Sequence, residues 1–235
     1  MKLIQKPKSL TEEAFEILQD AIINNQLEFN VLYSATELGQ MLGGISRTPV
    51  REAAQMLEKI GIVKIEKNKG IRIIPTSLST MIESFQIRLM LEVPLIRRAT
   101  EIRTQQDIER LNQIFEEFKQ KSISGDSTGT LKADRDYHLA LLQIVDNQKA
   151  IDIISNTRNQ VLIAGSATIP HSRSCQATFE DHLELHQAFI DGDQQKAADA
   201  MKSHIINTAN LLIHQESAKR LNWSEKDAID QLNWI

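Results

Sequence analysis

Two glycines and a proline constrain this chain more than any other local feature. Gly43-Gly44 closes a short helix-patterned segment of roughly 34–42, and Pro49 follows five residues later. Proline is tolerated in a helix only in the first turn, where no internal N–H bond is lost. The spacing therefore predicts a break and then a new helix beginning near Ser46 or Thr48. Its apolar stripe is Val50, Ala53, Ala54, Leu57 and Ile60, and Gly61 ends it. Upstream, Leu10, Ala14, Ile17, Leu18, Ala21 and Ile22 predict another amphipathic helix. Ser9 stands at its cap position and Glu12 and Glu13 in its first turn, where the helix dipole favours acids. Asn24-Asn25 and Phe29-Asn30 mark the turn that follows.

After Gly61, two strand-like runs, Ile62–Ile65 and Ile71–Ile74, flank Glu66-Lys67-Asn68-Lys69-Gly70, a composition suited to a tight hairpin. Helix, helix–turn–helix, then hairpin is the order of a winged helix-turn-helix, which we assign to residues 1–75. Pro75-Thr76-Ser77 reads as a linker. Residues 76–235 read as all helix, with segments near 79–101, 105–122, 129–146, 148–165, 175–191 and 193–219. Pro94 is expected to kink or split the first of these. The tail bearing Trp223 and Trp234 takes no place in this scheme. The expected architecture is mostly α: a winged helix-turn-helix followed by a helical bundle.

Composition narrows the function. The single cysteine, Cys175, excludes an internal disulfide framework and a cysteine-rich zinc module, and it suits a reducing cytoplasm. No apolar run follows the basic start, so no signal peptide is expected, and no stretch approaches the ~18 residues of a membrane span. Residues 47–72 hold seven bases against three acids, a net +4, so the rest of a chain of net charge −4 sums to −8. A basic segment on an acidic body suits a nucleic-acid surface.

The predicted second helix begins Ser46-Arg47-Thr48-Pro49-Val50-Arg51-Glu52. Arg47 and Arg51, four apart, share the face opposite Leu57. Arginine pairs bidentately with guanine, and threonine reaches a base edge or phosphate. The helix N-terminus offers free N–H groups to a phosphate. Lys67, Asn68 and Lys69 at the hairpin tip would reach flanking backbone or the minor groove. Ser46–Ala53, together with Gly61-Ile62-Val63 and Asn68-Lys69-Gly70, resembles the GntR family of bacterial transcription regulators, whose signature is close to S-R-T-P-V-R-E-A-L with a later N-R-G wing. The resemblance covers roughly residues 10–75. It implies DNA contacts from Ser46, Arg47, Thr48, Arg51, Lys67, Asn68, Lys69 and Gly70. The chain departs from the family at Asn25–Asn30, where G-x-L-x-P-G is usual, and at Thr36, where an arginine often stands. Gly43-Gly44 also reads as a one-residue insertion in the turn.

Three stripes in the helical region carry histidines. Asp134 and His138 share a face with Leu141, Leu142 and Val145. His182 and His186 lie on a stripe with Phe179, Leu183, Phe189 and Ile190. His204 lies among Ala197, Met201, Ile205, Thr208, Leu211 and Leu212. A buried carboxylate needs a partner or a metal. Imidazole and carboxylate together suit zinc, nickel, manganese or iron. Asp134-x-x-x-His138, Asp181-His182, Ala188–Asp193 and Ala197–His204 resemble the FCD effector domain of FadR-type GntR regulators, in its VanR-like six-helix form, over roughly residues 80–215. Asn147 fits the same pattern. The resemblance implies Asp134, His138, His182 and His204 as ligands of a divalent metal, zinc first among the candidates, and it favours His182 over His186. It also implies a small organic acid as effector. Arg88 and Glu92, in Arg88-x-x-x-Glu92, and Arg158 are candidate effector contacts, since a buried arginine seeks a carboxylate; pairing of Arg88 with Glu92 is the alternative.

These readings point to a homodimeric regulator that binds double-stranded, palindromic operator DNA, and the resemblance implies that it is a metabolite-responsive repressor. A regulator that senses the metal itself is a second possibility. A metal-dependent hydrolase or lyase is a third. It lacks a separate general base, because Asp136 lies off the stripe of Asp134 and His138.

Overall fold

The computed structural model describes residues 8–23, 26–75, 77–163, 168–169, 171–217, 230 and 232. The chain divides into two compact units: Met1–Ser77 with Asn159–Gly165, and Leu78–Arg158 with Ser166–Ile235.

In the first unit, α1 (Leu10–Ile23) packs on α3 (Arg47–Ile60), with the short α2 (Ala35–Met41) beside α3. Ser34 caps α2 through a reciprocal box with Glu37, which satisfies two orphan N–H groups at that end. The break at Gly43-Gly44 is real, and both glycines take positive φ, +85° and +88°. The amides of Gly44 and Ile45 turn back onto the carbonyl of Gly39, at 2.9 and 3.0 Å. A Cβ on Gly39 would lie 2.4 Å from the Ile45 oxygen, so α2 and the turn approach each other only because residue 39 has no side chain. Asn30 takes φ +64°, the left-handed conformation a glycine would otherwise supply. Asn24 and Asn25 lie outside the described residues.

The hairpin consists of β2 (Val63–Glu66) and β3 (Gly70–Ile73), with Ile65 opposite Ile71. A third strand, β1 (Leu32–Tyr33), adds to the free edge of β3, giving the order β1-β3-β2. Sequence reading missed it because two residues are too few for an alternation to show. Ala14, Leu18, Ile22, Leu38, Val50, Ala53, Leu57, Ile62, Val63, Ile71 and Ile73 close one core beneath helices and sheet.

The second unit comprises α4 (Leu78–Ile102), α5 (Gln105–Ile123), α6 (Ser127–Gln143), α7 (Gln148–Ile163), α8 (Cys175–Glu180), α9 (Leu183–Asp191) and α10 (Gln194–Ser217), where the end of α7 falls in the first unit. α4 packs on α10 and α5 on α6. Two expectations are corrected. Of the kink or split expected at Pro94, the split does not occur, and α4 runs unbroken through it. Pro94 is exposed, so the carbonyl of Met90 that loses its helical partner can be hydrated. The helix expected at 175–191 is two helices, broken at Asp181-His182. There the His182 amide bonds to the Phe179 carbonyl at 3.0 Å, a tighter turn than an α-helix makes. The helical unit thus has seven helices among the described residues where six were expected. Trp223 and Trp234 lie outside them.

Candidate metal centre and nucleic-acid interface

The break before α9 places His182 at its N-cap position, aimed inward rather than along the α9 stripe. α6 brings Asp134 and His138 from one side and α10 brings His204 from another. Each of the four residues offers a ligand atom, and these atoms all lie within 4.8 Å of one another. His138, His182 and His204 are buried.

Each imidazole is oriented by an acceptor on its Nδ1. The Nδ1 of His138 faces a Glu92 oxygen at 3.0 Å, that of His182 the Thr178 carbonyl at 2.8 Å, and that of His204 an Asp181 oxygen at 2.9 Å. Acceptors on all three Nδ1 atoms require Nδ1–H, which leaves the Nε2 lone pairs free. The Nε2 atoms of His138 and His182 face each other at 3.2 Å, and His182 Nε2 lies 3.0 Å from Asp134 Oδ1. Lone pairs and a carboxylate converging in a buried space need a positive charge between them, either a proton on one ring or a metal ion. Three nitrogens and one carboxylate oxygen, each ring held from behind, fit a divalent ion of the zinc type. Such an ion would supply a Lewis-acidic anchor for an oxygen ligand.

The electrostatics agree. Burial, with the Arg158 charge adding to it, pushes His138 down to about 4. Burial and the neighbouring His182 hold His204 well below the ordinary imidazole range. Burial works against the Asp134 carboxylate, but Arg158 and the His182 contact outweigh it and hold Asp134 well below its usual range. Glu92 is lowered in the same way: burial is outweighed by Arg88, His138 and Arg158. Between pH about 6.5 and about 4 the unfolded chain protonates the imidazole of residue 138 and the folded chain does not. Metal-free protein is therefore expected to lose stability as pH falls through that window. Unfolding midpoints of chelator-treated protein that stay level across it would contradict a buried, neutral His138.

Sequence reading treated the arginines and the histidines as separate sets, and the structure joins them. Arg88 binds Glu92 at 2.6 Å, Arg158 pairs with Asp134, and Arg158 Nη1 lies 3.6 Å from Glu92. The Glu92 carboxylate is thus taken up by Arg88 and His138. Arg88 Nη2 and Arg158 Nη1 are buried with no hydrogen-bond partner among the described residues. His186 is not in the cluster. It stacks on Phe115 with ring centroids 3.8 Å apart, and its Nε2 meets Asn112 at 3.0 Å. Asn147 is not there either, because its side chain accepts from the Ala150 amide at the start of α7. Asp181 went unnoticed as a functional residue, although it precedes His182 directly. It joins His204, Arg173 and Asn207.

In the first unit, Arg47 and Arg51 line a groove of about 570 Å³ together with Thr36, Gln55, Lys67, Asn68, Lys69 and Gly70. Ser46 occupies the N-cap of α3 without using its side chain for the cap. Ser46 and Thr48 are exposed at the start of α3 but do not line the groove. Glu66 is occupied by Arg72 at 2.5 Å. Asn68 holds the hairpin turn at φ +63°. A Cβ on Gly70 would lie 2.5 Å from the Tyr33 oxygen, so this glycine lets β1 approach the wing.

Residues 10–73 match the family described as bacterial regulatory proteins, gntR family, and residues 83–207, more than half of the chain, match the FCD domain. The chain belongs to the GntR family and carries an FCD domain. Among similar GntR relatives, the HTH-type transcriptional regulator LutR of Bacillus subtilis is 26% identical over 72% of this chain and 85% of its own. The Uxu operon regulator of Haemophilus influenzae is 28% identical over 70% and 67%. The HTH-type transcriptional repressor RspR of Escherichia coli is 24% identical over 89% and 92%. Among solved structures, E. coli McbR/YncC superposes with a TM-score of 0.78 at 19% identity, over 89% of this chain and all of that one. A GntR regulator from Rhodococcus sp. RHA1 gives 0.71 at 19%, over 88% and 99%. This GntR protein is a DNA-binding transcriptional regulator with an effector domain. No helix among the described residues is long and apolar enough to cross a membrane.

Proposed function

We propose that this regulator is a homodimeric repressor whose DNA affinity is set by a small carboxylic acid bound beside a divalent metal, zinc by preference, on Asp134, His138, His182 and His204. The observation that carries the reading is the convergence of four ligand atoms next to two buried guanidinium nitrogens, Arg88 Nη2 and Arg158 Nη1, that make no hydrogen bond among the described residues. Arg88 and Arg158 balance Glu92 and Asp134 in charge, so a divalent ion adds two uncompensated positive charges to a buried site. An anionic effector would neutralise that excess. It would also satisfy Arg88 Nη2 and Arg158 Nη1, while Glu92 orients His138. The exposed apolar residues Ile87 and Met90 on α4 suit association with a second copy, and a dimer would present two α3 helices to a palindrome. Repression is supported by the similarity to RspR. Unequal effector affinity for the DNA-bound and free arrangements supplies the coupling.

Elemental analysis of the purified protein, paired with a thermal-shift screen of small carboxylic acids with and without a chelator, tests this reading. Bound metal, and an acid whose stabilisation disappears on chelation, is the expected result. An acid that still stabilises metal-free protein would move the effector to the arginines and leave the histidine cluster structural.

A further inference from the structure

We propose that Gln55 is a base-reading residue of α3 that pairs with an adenine in each half of the operator. Arg47, Arg51 and Gln55 lie at i, i+4 and i+8, in a strip about 80° wide on α3. All three line the groove that also holds the wing tip. The buried stripe of Val50, Ala53, Ala54 and Leu57 occupies the other side of the helix. Two polar side chains of that groove are already engaged. Ser34 caps α2 and Glu66 holds Arg72, while Asn68 stands on the wing turn rather than on α3. Lys67 and Lys69 are donors only and cannot match the donor–acceptor edge of an adenine. Gln55 is exposed and is the amide that α3 itself presents to the groove.

An amide presents a donor and an acceptor side by side. That is the complement of adenine N6 and N7 in the major groove. Eight residues of helix advance about 12 Å, and base pairs are about 3.4 Å apart. Gln55 therefore reads roughly three base pairs beyond the contact of Arg47, with Arg51 between them. Nothing in the core depends on Gln55, so its variants should fold.

The test is in vitro selection from a randomised double-stranded DNA library with full-length wild type, Gln55→Ala, Gln55→Glu and a variant carrying both Arg47→Ala and Arg51→Ala. Wild type is expected to select an adenine at one fixed position in each half-site. Gln55→Ala should lose that preference at least about fivefold and keep the other positions. Gln55→Glu should move the same position toward cytosine, whose N4 amine a carboxylate accepts. Uniform weakening across all sequences would assign Gln55 to the phosphate backbone and overturn the proposal, and so would unchanged selection by both variants. Unchanged selection and unchanged affinity in the variant carrying both Arg47→Ala and Arg51→Ala would instead remove α3 as the reading helix, and Gln55 with it.

Discussion

Replacing His138 with alanine is expected to lower affinity for a divalent ion more than 100-fold, whereas Glu92→Gln should cost about 10–100-fold, the range typical of an outer-shell partner. His138 supplies one of four converging ligand atoms, and the Nδ1 side of its ring is held by Glu92. Removing the ring takes away a donor. Replacing Glu92 leaves the donor but frees the ring and strands Arg88, whose Nε binds the same carboxylate at 2.6 Å. Chelator competition measured on both variants, with circular dichroism to verify the fold, separates the two effects. Equal affinities in wild type and His138→Ala would remove the metal assignment. His186→Ala is the matched control. Its ring lies against Phe115 and Asn112, outside the cluster, so metal affinity should be unchanged.

The second large effect is expected at the DNA face. Arg51→Ala should cost about 1–3 kcal/mol in specific operator binding, roughly 5- to 150-fold, if its guanidinium reads a guanine. Arg51 is exposed on the side of α3 away from the core, so the loss should come without a change in thermal stability. Titration against operator and against unrelated DNA distinguishes the roles. A base contact weakens operator binding selectively, whereas a phosphate contact weakens both and flattens the salt dependence. Operator affinity unchanged in both Arg47→Ala and Arg51→Ala would sink the assignment of α3 as the recognition helix.

The first unit was legible because its punctuation is local. Gly43-Gly44, Pro49, Gly61 and the turn through Asn68 each fix a backbone conformation at one position, and the elements between them follow. β1 was not legible, since a two-residue strand exists only through its pairing with β3. In the second unit the stripes located the helices but hid the break at Asp181-His182. The apolar spacing from Phe179 through Leu183 to Phe189 continues through it without a fault. That break explains why two histidines one turn apart part company: His182 turns into the cluster and His186 lies along α9. The joining of arginines and histidines was invisible for another reason. It depends on how α4, α6 and α7 pack, and no single helix pattern encodes that. Glu92 was read as an effector contact because its neighbours in sequence are known, while His138, its partner in space, is 46 positions away.

The three imidazoles differ in what stands behind them. His138 and His204 lean on the side chains of Glu92 and Asp181, while His182 leans on the backbone carbonyl of Thr178. A side chain can be exchanged by a single codon change and a carbonyl cannot. Mutation can therefore retune the basicity of two of these imidazoles in small steps, from carboxylate to amide to nothing. The third is fixed by the path of the chain itself. Substitutions at positions 92 and 181 would thus adjust how tightly this cluster holds an ion, with the His182 ring as the fixed reference.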